Sequence, residues 1–340
     1  MTNDILESLE KDGLLPPGTG TLHAFGGGVS SDVWRVDSPG RPSFVVKRSV
    51  PKLRVQADWF SDPARLRYEF LYLQTVADIL PDAVPRLLTS DPSAPYLAME
   101  FLGEGFENWK SLLLAGKCIT TDATRAGSIL GAIHAATRNN PRIPQIFDTL
   151  EFFTQLRIDA YLRFTAERHP GPVGQAILDE AERLGGHNEC LIHGDFSPKN
   201  MLSGTSRFVI LDCETACYGD PAFDLAFLLN HLCLKALYHS PSDCELPTLA
   251  GAAWTAYQSA DPLHAPTVAS RAAILLSMLL LARVDGKSPV EYLSPEKQAI
   301  VRQFACHQIT QPNLSLQDVL GAWFAHVAAS PTRSIPVAEQ

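Results

Sequence analysis

Residues 189–204, ECLIHGDFSPKNMLSG, and residues 208–226, FVILDCETACYGDPAFDLA, decide how this sequence folds. A short apolar run ends at Ile192, Asp195 follows in a polar loop, Asn200 stands five residues later, and Asp212 closes a second apolar run twelve residues beyond that. Two carboxylates and an amide therefore leave the ends of neighbouring strands. Carboxylate and amide oxygens are hard ligands suited to Mg²⁺, and a second carboxylate outside the metal's shell can accept a hydroxyl proton. Phosphoryl transfer needs that division of labour. Plain turn capping by Asp195 and Asn200 is the ordinary alternative for such residues, and three matches in one strand-loop-strand context weigh against it.

Outward from this stretch, the first hundred residues read mostly as strand. Residues 32–36 and 44–48 are β-rich runs joined by SPGRPS, whose Pro39-Gly40 pair suits a hairpin turn. Asp62-Pro63 reads as an N-cap with proline at the first helical position, and Leu66, Phe70, Leu73, Ala77 and Leu80 follow at helical spacing. Residues 86–90 and 96–101 read as two more strands around DPSAP. From about residue 105 the pattern turns helical, with helices expected at 124–138, 150–167, 221–238, 271–282 and 315–328. The expected architecture is α+β and two-lobed: a small mostly-β lobe with one helix over 1–98, a connector over 99–104, a larger mostly helical lobe over 105–330 and a tail over 331–340.

Composition narrows the class. The 340 residues are 46% hydrophobic and 19% charged, which excludes disorder. The longest nearly unbroken apolar run, 272–282, falls short of the about 20 residues a spanning helix needs. The opening MTNDILESLEKDG lacks a basic flank before an apolar stretch. A soluble, cytoplasmic protein with no membrane partner is expected. Seven cysteines without a C-x-x-C pair signal neither a disulfide framework nor a zinc knuckle, and the net charge of −9 speaks against a nucleic-acid partner. Residues 41–67 are the exception. Arg41, Lys47, Arg48, Lys52, Arg54, Arg65 and Arg67 stand there against Asp58 and Asp62, forming either a local anion site or a solvated basic face.

The run H-G-D-x-x-x-x-N, present as His193, Gly194, Asp195 and Asn200, resembles the signature of the aminoglycoside phosphotransferase and choline kinase superfamily, and the resemblance extends over most of residues 20 to 300. These are small-molecule kinases related in fold to protein kinases, so the resemblance implies a bilobal protein-kinase-like fold. It implies Asp195 as catalytic base, Asn200 and Asp212 as Mg²⁺ ligands, Glu214 as a further ligand directly or through water, and His193 as an organiser of the loop. It also implies ATP, or GTP, as phosphoryl donor and a small-molecule acceptor.

The N-terminal half looks similar in the same way. Gly26-x-Gly28-x-x-Ser31-x-Val33 resembles a kinase glycine-rich loop, with Gly26, Gly27, Gly28, Ser30 and Ser31 at the nucleotide and serine at the third glycine position. Glycines let backbone N–H groups approach phosphates closely, and a flexible turn is the plain alternative for GGG taken alone. In the family a lysine placed like Lys47 contacts the α- and β-phosphates and is held by a helix glutamate. The matching acid is Glu69, which lies between Leu66 and Leu73 in the apolar stripe of its helix. An unpaired acid there would be costly, and a Lys47–Glu69 pair removes the cost. Met99, Glu100 and Phe101 in the connector would read the base through backbone groups.

The implied reaction carries the γ-phosphoryl group of ATP or GTP to a hydroxyl of a small alcohol, sugar, amino alcohol or aminoglycoside. A protein kinase is the nearest rival, against which HGD replaces HRD, DCE replaces DFG and no A-P-E follows. A non-catalytic nucleotide-binding regulator would be favoured by loss of Asp195, Asn200, Asp212 or Lys47, all of which are present. A metal-dependent hydrolase on His193, Asp195 and Asp212 lacks further ligands at metal spacing. Lys52, Arg54 and Trp59 lie either near the phosphates or in a solvated loop. Asp220 is expected to cap the helix that Pro221 opens, and Asp224 to brace the Asp195 loop. Arg283, Asp285 and His231, with Asn230 and Trp254, are the candidates for the acceptor pocket.

Overall fold

The computed structural model describes residues 2–26, 31–50, 62–89, 91–242, 245–311 and 314–330. Strands β1 (Thr21–Ala24), β2 (Ser31–Asp37), β3 (Phe44–Ser49) and β4 (Leu97–Glu100) form an antiparallel sheet in chain order. The Pro39-Gly40 turn is where the sequence places it, with Gly40 at φ 73°, a conformation open to glycine without steric cost. β2 and β3 pair Val33 with Lys47 and Trp34 with Val46. Alternation sends Phe44 and Val46 to the outer face, where Ile5, Leu9, Leu15, Trp34, Val36, Tyr96 and Ala98 join them in a small core. The helix Thr2–Lys11 covers this face. Neither it nor β1 is foreseen from sequence, since β1 is four mostly exposed residues, too short for its alternation to stand out.

Lys47 lies on the inner face, toward the helix Arg65–Ile79. That helix starts two residues beyond Pro63, because Asp62 first closes a turn: its Oδ1 accepts from the Ala64 N–H at 2.8 Å and its carbonyl from the Arg65 N–H at 3.2 Å. The strand expected at 86–90 reduces to a bridge between Leu87 and Met99. Pro85 has no N–H to give a longer ladder, although the Leu88 N–H still reaches the Ala98 carbonyl at 2.8 Å. The basic run is divided among different contacts. Among its described members, Arg41 donates to the Leu14 carbonyl, Lys47 pairs with Glu69, Arg48 stacks over Trp34 and Arg65 pairs with Glu214. Arg67 is exposed, and Lys52, Arg54 and Trp59 lie outside the described residues.

The rest is predominantly helical. Helices Thr120–Thr137 and Leu246–Ala260 meet backbone to backbone, since a Cβ on Gly127 would fall 2.0 Å from the Ala253 carbonyl oxygen and one on Gly131 2.8 Å from that of Tyr257. Helix Ala265–Asp285 is long and apolar enough to cross a membrane by length and composition, and here it packs, mostly buried, beside helix Pro221–His239. The helix expected over 150–167 is present but changes pitch: Leu150–Phe153 is α, Thr154–Arg163 is π and Phe164–Arg168 is α again.

Small strands sit between the sheet and the helices. They are β5 (Phe106–Asn108), β6 (Cys190–Ile192), β7 (Met201–Gly204), β8 (Phe208–Ile210) and β9 (Cys217–Gly219). β6 and β8, which carry Asp195 and Asp212 at their ends, do not pair with each other. β6 pairs with β9, and β8 pairs with β7 in the order β5-β7-β8, because the chain returns from Asn200 directly into a hairpin. Cys190, Cys213, Cys217 and Cys233 are buried and unpaired in disulfides, as small apolar side chains would be.

Candidate active site

The Asp195 loop is built from backbone outward. Asp224, in the first turn of helix Pro221–His239, accepts from the His193 N–H at 2.6 Å and the Gly194 N–H at 2.9 Å, so one carboxylate holds two successive amides. The His193 ring bridges two segments, its Nε2 on the Leu211 carbonyl at 3.0 Å and its Nδ1 accepting from the Asp195 N–H at 3.1 Å. Burial keeps this imidazole neutral by lowering its pKa. Gly194 sits at φ 74°, and a Cβ there would meet the Thr215 carbonyl oxygen at 2.6 Å. Gly194→Ala is therefore expected to cost about 2–5 kcal/mol from backbone strain and overpacking together. Urea unfolding measures this, and an unchanged midpoint would show that the loop relaxes freely.

Asp195 has a side chain 5% exposed, with Oδ2 at 3.1 Å from an Arg157 guanidinium nitrogen and 2.8 Å from the Lys199 Nζ. Its Oδ1 is buried without a hydrogen-bond partner. Burial opposes ionisation, but the Lys199 and Arg157 charges prevail and hold the carboxyl below the usual carboxylate range. The result is an ionised carboxylate with one oxygen fixed and the other free to accept a proton. Arg157 is itself immobilised by the Gly194 and Leu156 carbonyls. Neither cation was singled out from sequence. Lys199 lies four residues from Asp195 within SPKN and was legible, whereas Arg157 comes from the distant π segment with no local signal.

Asn200 is buried, and its Nδ2 donates to the Asp195 carbonyl at 3.0 Å. Asp212 follows β8 at φ 61°, a conformation that strains a residue other than glycine. Its Oδ1 accepts from Lys47 Nζ at 2.5 Å, and the same Nζ lies 2.6 Å from Glu69 Oε2. Glu214 Oε2 accepts from Arg65 Nε at 2.9 Å, both groups being buried. Oxygens of Glu69, Asp212 and Glu214 all lie within 4.8 Å of one another. Desolvation opposes the Lys47 charge, but Asp212 and Glu69 keep it ionised. Despite burial, Lys47 and Lys199 hold Asp212 well below the carboxylate range, while burial pushes Glu69 up to about 7 against the pull of Lys47.

These donors fit a hard divalent cation. Asp212 and Glu214 each commit one oxygen to a cationic side chain, and Asn200 commits its amide nitrogen, so oxygen ligands remain on all three. A second acidic group, His187 with Glu189 and Asp220, has a different character. Arg138, Arg183 and Arg271 pair with it, and Asp220 also accepts from the Ala222 N–H, the helix cap expected from sequence.

Of the glycine-rich segment, Gly26 and Ser31 are described; Gly27, Gly28 and Ser30 lie outside the described residues. Ser31 opens β2 opposite Ser49. Met99 and Glu100 end β4, and the Glu100 carboxylate accepts from Arg207 and from the Arg86 N–H, both at 2.9 Å. Phe101 faces Phe25 across 6.2 Å, with the Arg35 guanidinium 5.6 Å over its ring.

The five acceptor candidates separate. Asp285 pairs with His169 at 2.8 Å and Arg302 at 2.9 Å, tying helices together, which corrects its reading as a pocket residue. Arg283, two residues away and so on another face, donates to the Tyr161 hydroxyl at 2.9 Å. Tyr161 also lies under the Arg157 guanidinium, 5.7 Å away, which places Arg283 on the Asp195 side. His231 is buried with its ring edge on Phe227, Asn230 is buried beside it in sequence, and Trp254 stacks on Tyr257 instead.

Residues 21–266 match the phosphotransferase enzyme family. Methylthioribose kinase from Pectobacterium atrosepticum is 25% identical over 243 residues, covering 63% of this chain and 60% of that one. Methylthioribose kinase from Bacillus mycoides is 24% identical over 245 residues, covering 63% and 61%. The chain thus spans about three fifths of the length of these curated relatives. Among solved structures, amicoumacin kinase hAmiN in complex with AMP-PNP, Ca²⁺ and Ami superposes with a TM-score of 0.57 at 13% identity, covering 94% of this chain and 97% of that one. Choline kinase LicA from Streptococcus pneumoniae gives 0.52 at 17%, covering 91% and 98%. At these identities the two structures share the fold with this chain.

Proposed function

The chain belongs to the phosphotransferase enzyme family, and from that premise we propose that it transfers the γ-phosphoryl group of ATP or GTP to a hydroxyl of a small molecule. The observation that carries this reading is the pairing of an ionised Asp195, one oxygen free, with a Lys47 shared between Glu69 and Asp212. Residues 1–98 and the connector would take the nucleotide, and residues 105–330 the acceptor. Methylthioribose kinases among the relatives, and a kinase of the same fold solved with AMP-PNP and Ca²⁺, support a nucleotide donor, a divalent cation and a small acceptor.

In this reading Asp195 Oδ1 takes the proton of the acceptor hydroxyl as its oxygen attacks the γ-phosphorus and the bond to the β-phosphate oxygen breaks. Lys47, fixed by Glu69, directs its ammonium at the nucleotide phosphates. Lys199 and Arg157 hold the Asp195 carboxylate in place and keep positive charge beside the transferring group. Asn200, Asp212 and Glu214 would hold Mg²⁺, which supplies neutralisation of phosphate charge when bound.

ADP release measured across a panel of aminoglycosides, amino alcohols, sugars and sugar derivatives tests the reading. One acceptor class should raise ADP formation well above the acceptor-free rate, and EDTA should abolish it. Nucleotide binding with no acceptor-dependent turnover anywhere in the panel would instead favour the regulator.

A further inference from the structure

Helix Pro221–His239 buries a lysine that nothing in the mechanism uses. Lys235 is 1% exposed, its one hydrogen bond is to the His231 carbonyl at 3.3 Å, and among the described residues no carboxylate lies within 4 Å of it. Its Nζ stands 5.3 Å from the Tyr292 ring. Around it are further polar atoms that are buried and unpartnered: His231 Nε2, the Tyr292 hydroxyl and Arg283 Nε. A lysine commonly buries its stem and keeps its head in water, but here the head is buried too.

The group is continuous with the Asp195 site. Asp195 touches Arg157, whose guanidinium lies 5.7 Å from the Tyr161 ring. Arg283 covers the same ring at 5.6 Å and bonds its hydroxyl. Tyr161 packs on Phe227, which packs on His231, one turn before Lys235. Lys199, half exposed, and Lys110 stand at the edges, and Lys110 is paired with the exposed Glu291. Arg157, Lys199, Arg283, Lys235 and Lys110 thus share a region in which, among the described residues, Asp195, Asp212 and Glu214 face the Arg157 and Lys199 end while the exposed Glu291 is the carboxylate near Lys235. Burial, with Lys110 and Arg283 adding repulsion against the pull of Glu291, pushes Lys235 down to about 7, so an anion beside it would hold it in its charged form.

We propose that this row of cations is the anion-binding end of the acceptor pocket, and that the acceptor is a hydroxy compound bearing a carboxylate or a phosphate. Its anionic group pairs with Lys235 and Arg283, and its hydroxyl is presented to Asp195. The proposal rests on the phosphotransferase reading above and narrows its substrate class. A cationic acceptor would meet like charge in the same place.

Two probe series, glycerol with glycerate and glycerol 3-phosphate, and ribose with ribonate and ribose 5-phosphate, test this by titration calorimetry and ADP release in the presence of Mg²⁺ and nucleotide, with choline as the cationic control. An anionic member should bind at least about tenfold more tightly than its neutral parent, the gain expected of one desolvated charge-assisted hydrogen bond. The carboxylate and phosphate arms identify which anion the site takes. Neutral or cationic members binding as well as the anions, or no member binding at all, would overturn the proposal. Lys235→Met should raise the dissociation constant of the favoured anion at least about tenfold with nucleotide affinity unchanged, Lys235→Arg should recover part of it, and the methionine variant should melt higher because a buried charge is gone. A variant that melts lower and binds anions as before would make Lys235 structural. Failure of the broader reading looks different, since no acceptor of any charge would then drive ADP formation.

Discussion

Asp195→Asn is expected to lower kcat by about 10²–10⁴-fold, the usual share of a positioned general base, while nucleotide affinity survives. The amide keeps the shape of the carboxylate and can still accept from Lys199 or Arg157, but it has no basic oxygen for the acceptor proton. The loss should therefore fall on turnover rather than on nucleotide binding. Arg157 is buried and keeps its bonds to the Gly194 and Leu156 carbonyls, so the fold should persist with modest loss. Single-turnover rates with the nucleotide dissociation constant and a melting curve separate these effects. Turnover near that of the unaltered protein would remove Asp195 from the role of base.

The second large effect concerns Lys47 and Glu69. Either change to Ala loses the same phosphate contact, by removing the ammonium or by releasing it from its position, so kcat/KM should fall in both single variants and little further in the double variant, with a coupling energy of about 1–3 kcal/mol. Stability should not be symmetric. Lys47→Ala leaves Glu69, Asp212 and Glu214 within 4.8 Å of one another, with Arg65 on Glu214 and the more distant Lys199 charge on Asp212, and stripping the cation from such a buried pair costs about 3–5 kcal/mol. Glu69→Ala leaves Lys47 its Asp212 partner at 2.5 Å and should cost less. Guanidinium unfolding of the three variants, beside their kinetics, completes the cycle. Fully additive kinetic losses would dissolve the proposed pair.

Legibility in the sequence follows the range of the contacts. The loop around Asp195 could be read because His193, Gly194, Asp195 and Asn200 sit in one short run, and Glu69 because an acid in an apolar helical stripe demands a partner. Arg157 and Tyr161 could not, since they reach Asp195 and Arg283 from a segment whose pitch the sequence does not announce. Lys235 is hidden in the sequence for a different reason. In FDLAFLLNHLCLKAL the few polar residues, Asp224, Asn230, His231 and Lys235, are scattered in an apolar run that is buried on every side, so the sequence does not tell a buried lysine from one at a solvated edge, and its burial without a carboxylate marks it. Arg283 and Asp285 look equivalent in sequence, and two residues of helical rotation send one to the site and the other to His169 and Arg302.

The π segment Thr154–Arg163 sets the direction of two side chains. A π turn holds more residues than an α turn, so the same ten residues wound at α pitch, about 100° per residue, would turn further, and Arg157 and Tyr161 would leave the helix at other angles. The reach of Arg157 to Asp195 and of Tyr161 to Arg283 therefore depends on pitch as well as on residue identity, and a substitution that restores α winding inside the segment would disturb the site without touching either side chain.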